Sequence, residues 1–149
     1  RGNNMQFIEL SLRRLEETER VFLEIFSREP WNDAWSGEQL RRYMLEIMGN
    51  DNSLSFGMEE NGALVAIALG RVKHWYAGTE YLVEELGVLP AWQGRGVGSA
   101  LLAGMRRVLK TKGVGTVVLL TDRTLPAYKF YIGKGFSEQK EQAFLVKEL

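Results

Sequence analysis

The chain has no cysteine and a single histidine, His74. Without cysteine there is no disulfide, no thiolate nucleophile and no Cys-based metal site, and the composition suits a reducing compartment. One histidine excludes zinc sites built from several His ligands, though a Ser-His-Asp arrangement stays formally open. Net charge is missing as well: 19 basic and 19 acidic side chains sum to +0. A neutral chain has no surplus of positive charge to hold a phosphate backbone, so nucleic acid is not an expected partner. No apolar run approaches the ~20 residues of a membrane span, and the first residues lack the charged-then-apolar layout of a secretion signal. We expect no membrane partner and a cytoplasmic location. With only three prolines, and no repeat or Ser-rich linker, residues 1–149 read as one domain. Arg1 to Asn4, ahead of Met5, read as the remnant of an expression tag.

What is present is an ordinary globular balance, 45% hydrophobic and 26% charged. A short strand, Met5 to Leu10, leads into a helical stretch, Leu12 to Arg28, with Leu15, Val21, Phe22, Ile25 and Phe26 in helical period. Pro30 ends it, and Ser36 with Gln39 starts a second helix that runs to Met48. Ser53 to Met58 and Ala63 to Lys73 read as a hairpin around Asn61-Gly62, and Thr79 to Val88 is a further strand. A helix from Gly98 to Lys110 and an apolar strand, Thr116 to Thr121, complete a strand, helix, strand unit of parallel type. A helix from Leu125 to Lys134 and a last strand, Gln142 to Lys147, follow. The fold class is α/β (α+β), with a mixed sheet of six to seven strands and about four helices.

Charge is unevenly placed. Between Leu89 and Lys134 stand eight basic residues against the single acid Asp122. Within that stretch, Gln93-Gly94-Arg95-Gly96-Val97-Gly98 joins a strand to a helix, where backbone amides and the helix dipole favour an anion such as phosphate. Glycine lets a diphosphate approach the backbone and permits positive φ. No Gly-Lys-Ser/Thr follows, so this is not a Walker A loop, and Gly94-x-Gly96-x-x-Ser99 is not a full dinucleotide fingerprint. The 51 residues after Gly98 are too few for the repeated βα units of a dinucleotide sheet, despite Asp122 at the end of the next strand. A Gly-rich turn without a ligand is the competing reading.

The segment Glu85-Leu86-Gly87-Val88-Leu89-Pro90-Ala91-Trp92-Gln93-Gly94-Arg95-Gly96-Val97-Gly98 resembles the acetyl-CoA motif of the GNAT superfamily of N-acetyltransferases, Gln/Arg-x-x-Gly-x-Gly/Ala. Pro126-Ala127-Tyr128-Lys129-Phe130-Tyr131-Ile132-Gly133-Lys134-Gly135-Phe136 resembles the late helix and turn of the same family, in the right order and separation. The resemblance implies a bacterial-type acyltransferase with acetyl-CoA as cofactor, and a mixed sheet splayed near residues 81 to 88 where the pantetheine lies. It implies that backbone amides of Arg95, Gly96, Val97, Gly98 and Ser99 bind the pyrophosphate, with Gln93 and Gly94 also among the cofactor-binding residues. It further implies that main-chain groups of Leu86, Gly87 and Val88 line the pantetheine and the thioester carbonyl. A well-placed donor at such a carbonyl is worth roughly 3–4 kcal/mol. Thr124, where many relatives carry Asn, and Ala127 fall beside the cofactor on the same basis.

Acyl transfer needs a neutral amine, and an amine of pKa about 10.4 is neutral at pH 7 only to the order of 10⁻³, a shortage of about 4.6 kcal/mol. A carboxylate at the acceptor can take the proton. Glu85 is the favoured base and Glu84 the second choice; adjacent strand residues point to opposite faces, so one of them faces the cleft unless a bulge turns both. Tyr131 matches the family tyrosine that serves the departing thiolate, and a packed aromatic is its bland alternative. Since there is no cysteine to carry an acetyl group, direct transfer in a ternary complex is expected.

For the acceptor, Trp31, Asp33, Trp35 and Trp75 are candidates, each with packing as its alternative, and Glu29 to Trp35 weakly resembles a loop of aminoglycoside 6'-N-acetyltransferase-like members. The expected partner is a small-molecule or peptide amine, with a homodimer left open. Two other classes stay in play, a non-catalytic acyl-CoA sensor and a dinucleotide-binding module.

Overall fold

The computed structural model describes residues 4–149, so residues 1 to 3 of the expected tag remnant lie outside the described residues. Five strands form one sheet in the order β1 (Met5–Leu10), β2 (Ser53–Glu60), β3 (Ala63–Trp75), β4 (Gly78–Val88), β5 (Val114–Leu119). The first three junctions are antiparallel and β4 with β5 is parallel. Sequence order thus equals spatial order, as expected of a meander followed by one crossover. The β2–β3 turn is built by Asn61 and Gly62, both at positive φ (52° and 83°), the backbone that the Asn-Gly pair predicts.

Helices α1 (Leu15–Phe26) and α2 (Gly37–Met48) lie on one face of the sheet, and α3 (Val97–Thr111) on the other. A short 3-10 turn, Leu12–Arg14, precedes α1. Ser36 caps α2 as its position predicts, its Oγ accepting the Gln39 N–H at 3.1 Å. One core sits between the sheet and the α1/α2 pair, around Phe22, Ile25, Met44, Ile67 and Leu69. The other lies under α3, around Phe56, Tyr81, Leu101 and Met105. β3 serves both, which is why Leu64 to Leu69 is an unbroken buried apolar run rather than an alternating one. α4 (Pro126–Gly133) follows β5. Among the described residues no helix is long and apolar enough to cross a membrane.

Among the described residues the sheet has five strands, not six to seven. The last expected strand, Gln142 to Lys147, is not formed: that segment has no regular structure and lies exposed, and among the described residues no strand pairs with the outer side of β5. The strand expected at Thr116 to Thr121 starts two residues earlier and ends two earlier, at Val114–Leu119.

Candidate active site

β4 and β5 pair only as far as Val83 with Leu119, whereas β4 and β3 stay paired to Val88 with Ala66. Residues Glu84 to Val88 therefore border β3 alone, and a V opens on their other edge. Leu89 sends its N–H to the Val65 carbonyl of β3 at 2.9 Å. Since successive strand amides alternate in direction, the N–H groups of Leu86 and Val88 face the opening, and that of Gly87 faces β3. Gln93 closes the inner end of the turn, its Nε2 donating to the Val88 carbonyl at 3.1 Å.

The Gly-rich turn ends at Gly96, the N-cap of α3, which has φ 81° and no side chain to cap the helix. The first helical bond runs from the Ala100 N–H to the Gly96 carbonyl. The amides of Val97, Gly98 and Ser99 are thus left without intrahelical acceptors. Gly94 (φ 74°) and Gly96 adopt backbone that L side chains rarely take, and a Cβ on either would project into open space. Val97 is buried beneath the turn, and the Arg95 guanidinium lies over the Trp92 ring, 4.7 Å from its centroid. An open cradle of amides at a helix N-terminus, leading into a strand edge with free N–H groups, fits a diphosphate followed by an amide-bearing arm. CoA has that layout.

α4 is brought to the same place by a close approach. A Cβ on Gly98 would sit 3.1 Å from Phe130 Cζ and 3.7 Å from Val88 Cγ2, so glycine lets α4, α3 and the end of β4 meet. Tyr131, one residue on, is 8% exposed and packs edge-on to Phe130 and Phe136. Burial, with a smaller contribution from the charge of Glu85, pushes its phenol up to about 12. Ala127 is half-buried on the same helix. Thr124 is exposed and turned back on the loop, its Oγ1 and N–H both donating to Asp122 Oδ1 at 2.6 and 2.8 Å.

The two glutamates share a face. Leu69 pairs with Glu85 and Gly70 with Val83, so Glu84 is the extra residue of a β-bulge. Tyr81, Val83, Leu86 and Val88 all join the core under α3. Alternation therefore reverses between Val83 and Leu86, and Glu84 and Glu85 both turn to the α1/α2 side. Glu84 meets Arg71 at 3.1 Å, and Glu85 accepts a hydrogen bond from the Tyr43 hydroxyl of α2. Burial raises the Glu85 carboxyl above the ordinary carboxylate range; the Tyr43 bond opposes this, and Asp33 and Glu84 add to the rise. Burial first, then Glu85, drives the Tyr43 phenol upward, so it stays a donor.

Tyr43 is the residue that sequence reasoning missed. It stands on α2 beside Leu40, Met44 and Ile47 in helical period and reads as core, and its partner lies 42 residues away. Trp35 stacks on it, centroids 5.0 Å apart at 19°, and meets Phe22 edge-on. The Trp35 Nε1 is buried without a hydrogen-bond partner among the described residues. Trp31 packs edge-on to Phe26. Asp33 is exposed but close enough for its charge to reach Glu85. The structure does not bring Trp75 to this group: it pairs with Gly78 at the far end of the hairpin, seven strand residues or roughly 20 Å from Glu85. His74 is at that end too, its Nδ1 3.3 Å from Thr79 Oγ1.

Residues 12–136 match the model of the acetyltransferase (GNAT) family. A mycothiol acetyltransferase of Segniliparus rotundus is 30% identical over 137 residues, 89% of this chain; the chain spans about half, 51%, of that protein's length. An aminoglycoside acetyltransferase from an uncultured soil metagenomic sample, solved with sisomicin, superposes with a TM-score of 0.79 at 17% identity, over 99% of this chain and 97% of that one. The aminoglycoside N-acetyltransferase AAC(6')-Iy, solved with CoA, gives 0.76 at 23% identity, over 100% and 98%. A five-strand sheet that splits beyond Val83, a Gly-rich helix start and a family match across 12–136 converge: the chain belongs to the GNAT family of acetyltransferases, acyltransferases that use acetyl-CoA.

Proposed function

We propose that this domain transfers an acetyl group directly to a primary amine of a small polycationic acceptor of aminoglycoside or polyamine kind, in the cytoplasm, where acetyl-CoA is available. The observation that carries the acceptor class is the bulge at Glu84, which turns two consecutive carboxylates to the α1/α2 side, with Asp33 in electrostatic reach. Three acids beside the V attract an ammonium group, and Glu85, its carboxyl raised by burial, is placed to take its proton. The aminoglycoside acetyltransferases among the structural neighbours are consistent with this choice.

Acetyl-CoA supplies an activated thioester. The chain's own residues do the rest: amides of Gly94 to Ser99 hold the diphosphate, and the Leu86 and Val88 N–H groups orient the arm and polarise the carbonyl. Glu85 takes the ammonium proton, Tyr43 keeps Glu85 in position, and Tyr131, protonated at neutral pH, donates a hydrogen bond to the departing sulfur. No cysteine exists to take the acetyl group, so donor and acceptor must be bound together.

The test is a thiol-release assay with acetyl-CoA against a panel of aminoglycosides, polyamines, monoamines and peptides. Polycations should lead in kcat/KM, with intersecting initial-velocity lines. A peptide ahead of every polycation overturns the acceptor class, parallel lines overturn direct transfer, and no turnover with any amine returns the domain to an acyl-CoA sensor.

A further inference from the structure

Between the C-terminal half of α2, the turn into β2 and the strands β3 and β4 lies a cavity of about 370 Å³. Tyr43 borders it, and the same residue donates its hydroxyl to Glu85, so the cavity begins where the ammonium proton is taken up. Arg71 and Glu84 line it from the sheet, Glu46 and Ile47 from the helix. Asn50 and Asn52 complete the lining, and each uses its Nδ2 on a backbone carbonyl, that of Glu46 and of Val72, which leaves the Oδ1 atoms as acceptors. Among the described residues, two carboxylates and two amide oxygens thus stand against one cation, Arg71. Besides burial, the charges of Glu85, Glu84 and Glu46 each push the Tyr43 phenol upward, so all three carboxylates lie within electrostatic reach of one hydroxyl.

The one cation is held loosely. Arg71 meets Glu84 through Nε alone, at 3.1 Å, and the two side chains are 47 and 37% exposed. Arg14 and Arg41, in contrast, hold Glu17 and Glu19 through two nitrogens each. A one-point pair open to water is weak, and another cation can replace it. We propose that this cavity receives a second ammonium group of the acceptor, and that Arg71 is a specificity-determining residue there, a built-in cation that the acceptor's ammonium replaces on Glu84. The proposal rests on the acceptor class inferred above. Before the acceptor arrives, Arg71 offsets the repulsion between the adjacent Glu84 and Glu85 carboxylates; afterwards the acceptor's own charge does so. The cavity runs from Tyr43 past Ile47 to Asn50, roughly 10 Å along α2, so the acceptor that fits it carries its second ammonium about 6–10 Å from the reacting nitrogen. Methylenes between the two nitrogens lie along the buried, apolar Ile47.

The test compares pentane-1,5-diamine with pentylamine, which lacks only the second ammonium. Arg71→Gln should raise the ratio of their kcat/KM values at least about threefold, and Glu46→Gln should lower it by a similar factor, both through KM rather than kcat. Any influence of Arg71 on Glu85 itself acts on both amines and cancels in the ratio. Arg71→Lys keeps the cation and should keep the wild-type ratio. A ratio that Arg71→Gln leaves unchanged or lowers, or that Glu46→Gln leaves unchanged, overturns the proposal. An Arg71→Lys variant that behaves like Arg71→Gln overturns it too, because charge is then not what Arg71 supplies. Calorimetric titration of the diamine without acetyl-CoA reads the cavity apart from catalysis: its Kd should fall in Arg71→Gln and rise in Glu46→Gln. If neither amine is acetylated, the acceptor class above fails on its own, and those two shifts decide the cavity. With them it stands as an ammonium site, and without them the proposal falls as well.

Discussion

At Glu85 two influences oppose each other: burial favours the neutral acid, and the Tyr43 hydroxyl favours the carboxylate. Burial prevails, so the folded pKa stands above the unfolded one. The stability associated with such a group is present below the unfolded pKa and lost as pH rises through the folded pKa. Glu85→Gln removes that loss and keeps an acceptor for Tyr43. Its Tm at pH 7 should therefore equal or exceed that of the wild type, while kcat/KM falls by about 10²–10⁴. Thermal melts and steady-state rates on one preparation check both, and a variant that keeps the wild-type rate removes Glu85 from the chemistry. Tyr43→Phe separates positioning from packing, since it retains the ring stacked on Trp35 and deletes only the hydroxyl. With that donor gone, the remaining influences all raise the carboxyl, so the acidic limb of kcat/KM against pH should move to higher pH. A merely structural tyrosine would lower Tm and leave the limb where it was.

Among the elements, α3 shows how tightly helix and sheet are matched. A Cβ on Gly104 would stand 2.3 Å from Phe7 Cδ1, and Phe7 cannot simply withdraw because its ring stacks on Phe56 with centroids 5.4 Å apart. Gly104→Ala should cost about 1–3 kcal/mol in denaturant unfolding, even though alanine is the better helix former. An unchanged midpoint would mean that β1 can slide away from α3. Such contacts mark where the sequence ceased to be legible. Signals carried by neighbouring residues came through: the Ser36 cap, the Asn61-Gly62 turn, the amphipathic helices and the Gly-rich entry to α3. The bulge at Glu84 did not, because it is set by how β4 registers on β3 and leaves no local mark beyond two adjacent glutamates. Tyr43 was hidden for a related reason, its partner being supplied by another element. The strand expected at Gln142 to Lys147 is absent because a strand needs a paired neighbour, and the residues of one segment cannot say whether that neighbour exists.

The molecule as a whole is neutral, yet its charges are unevenly placed. Eight basic residues and one acid lie between Leu89 and Lys134 in the sequence, with Arg95 in the Gly-rich turn itself, and Asp33, Glu84 and Glu85 gather on the α1/α2 side. Binding at the cradle should report itself in global stability, because a ligand that occupies only the folded state at 100 times its dissociation constant adds about 2.7 kcal/mol. A domain of this size moves about 2–4 °C per kcal/mol, so CoA and acetyl-CoA should each raise Tm by about 5–11 °C. The rise should shrink with added salt, since the cradle is exposed and its attraction for phosphate is screened. NADH shares the diphosphate but has no arm to meet Leu86 and Val88, and among the described residues the sheet has a single parallel pair rather than the repeated units of a dinucleotide fold. It should leave Tm unchanged. A shift with NADH equal to that with CoA would show that the diphosphate alone is recognised, and the V between β4 and β5 would then have no part in donor binding.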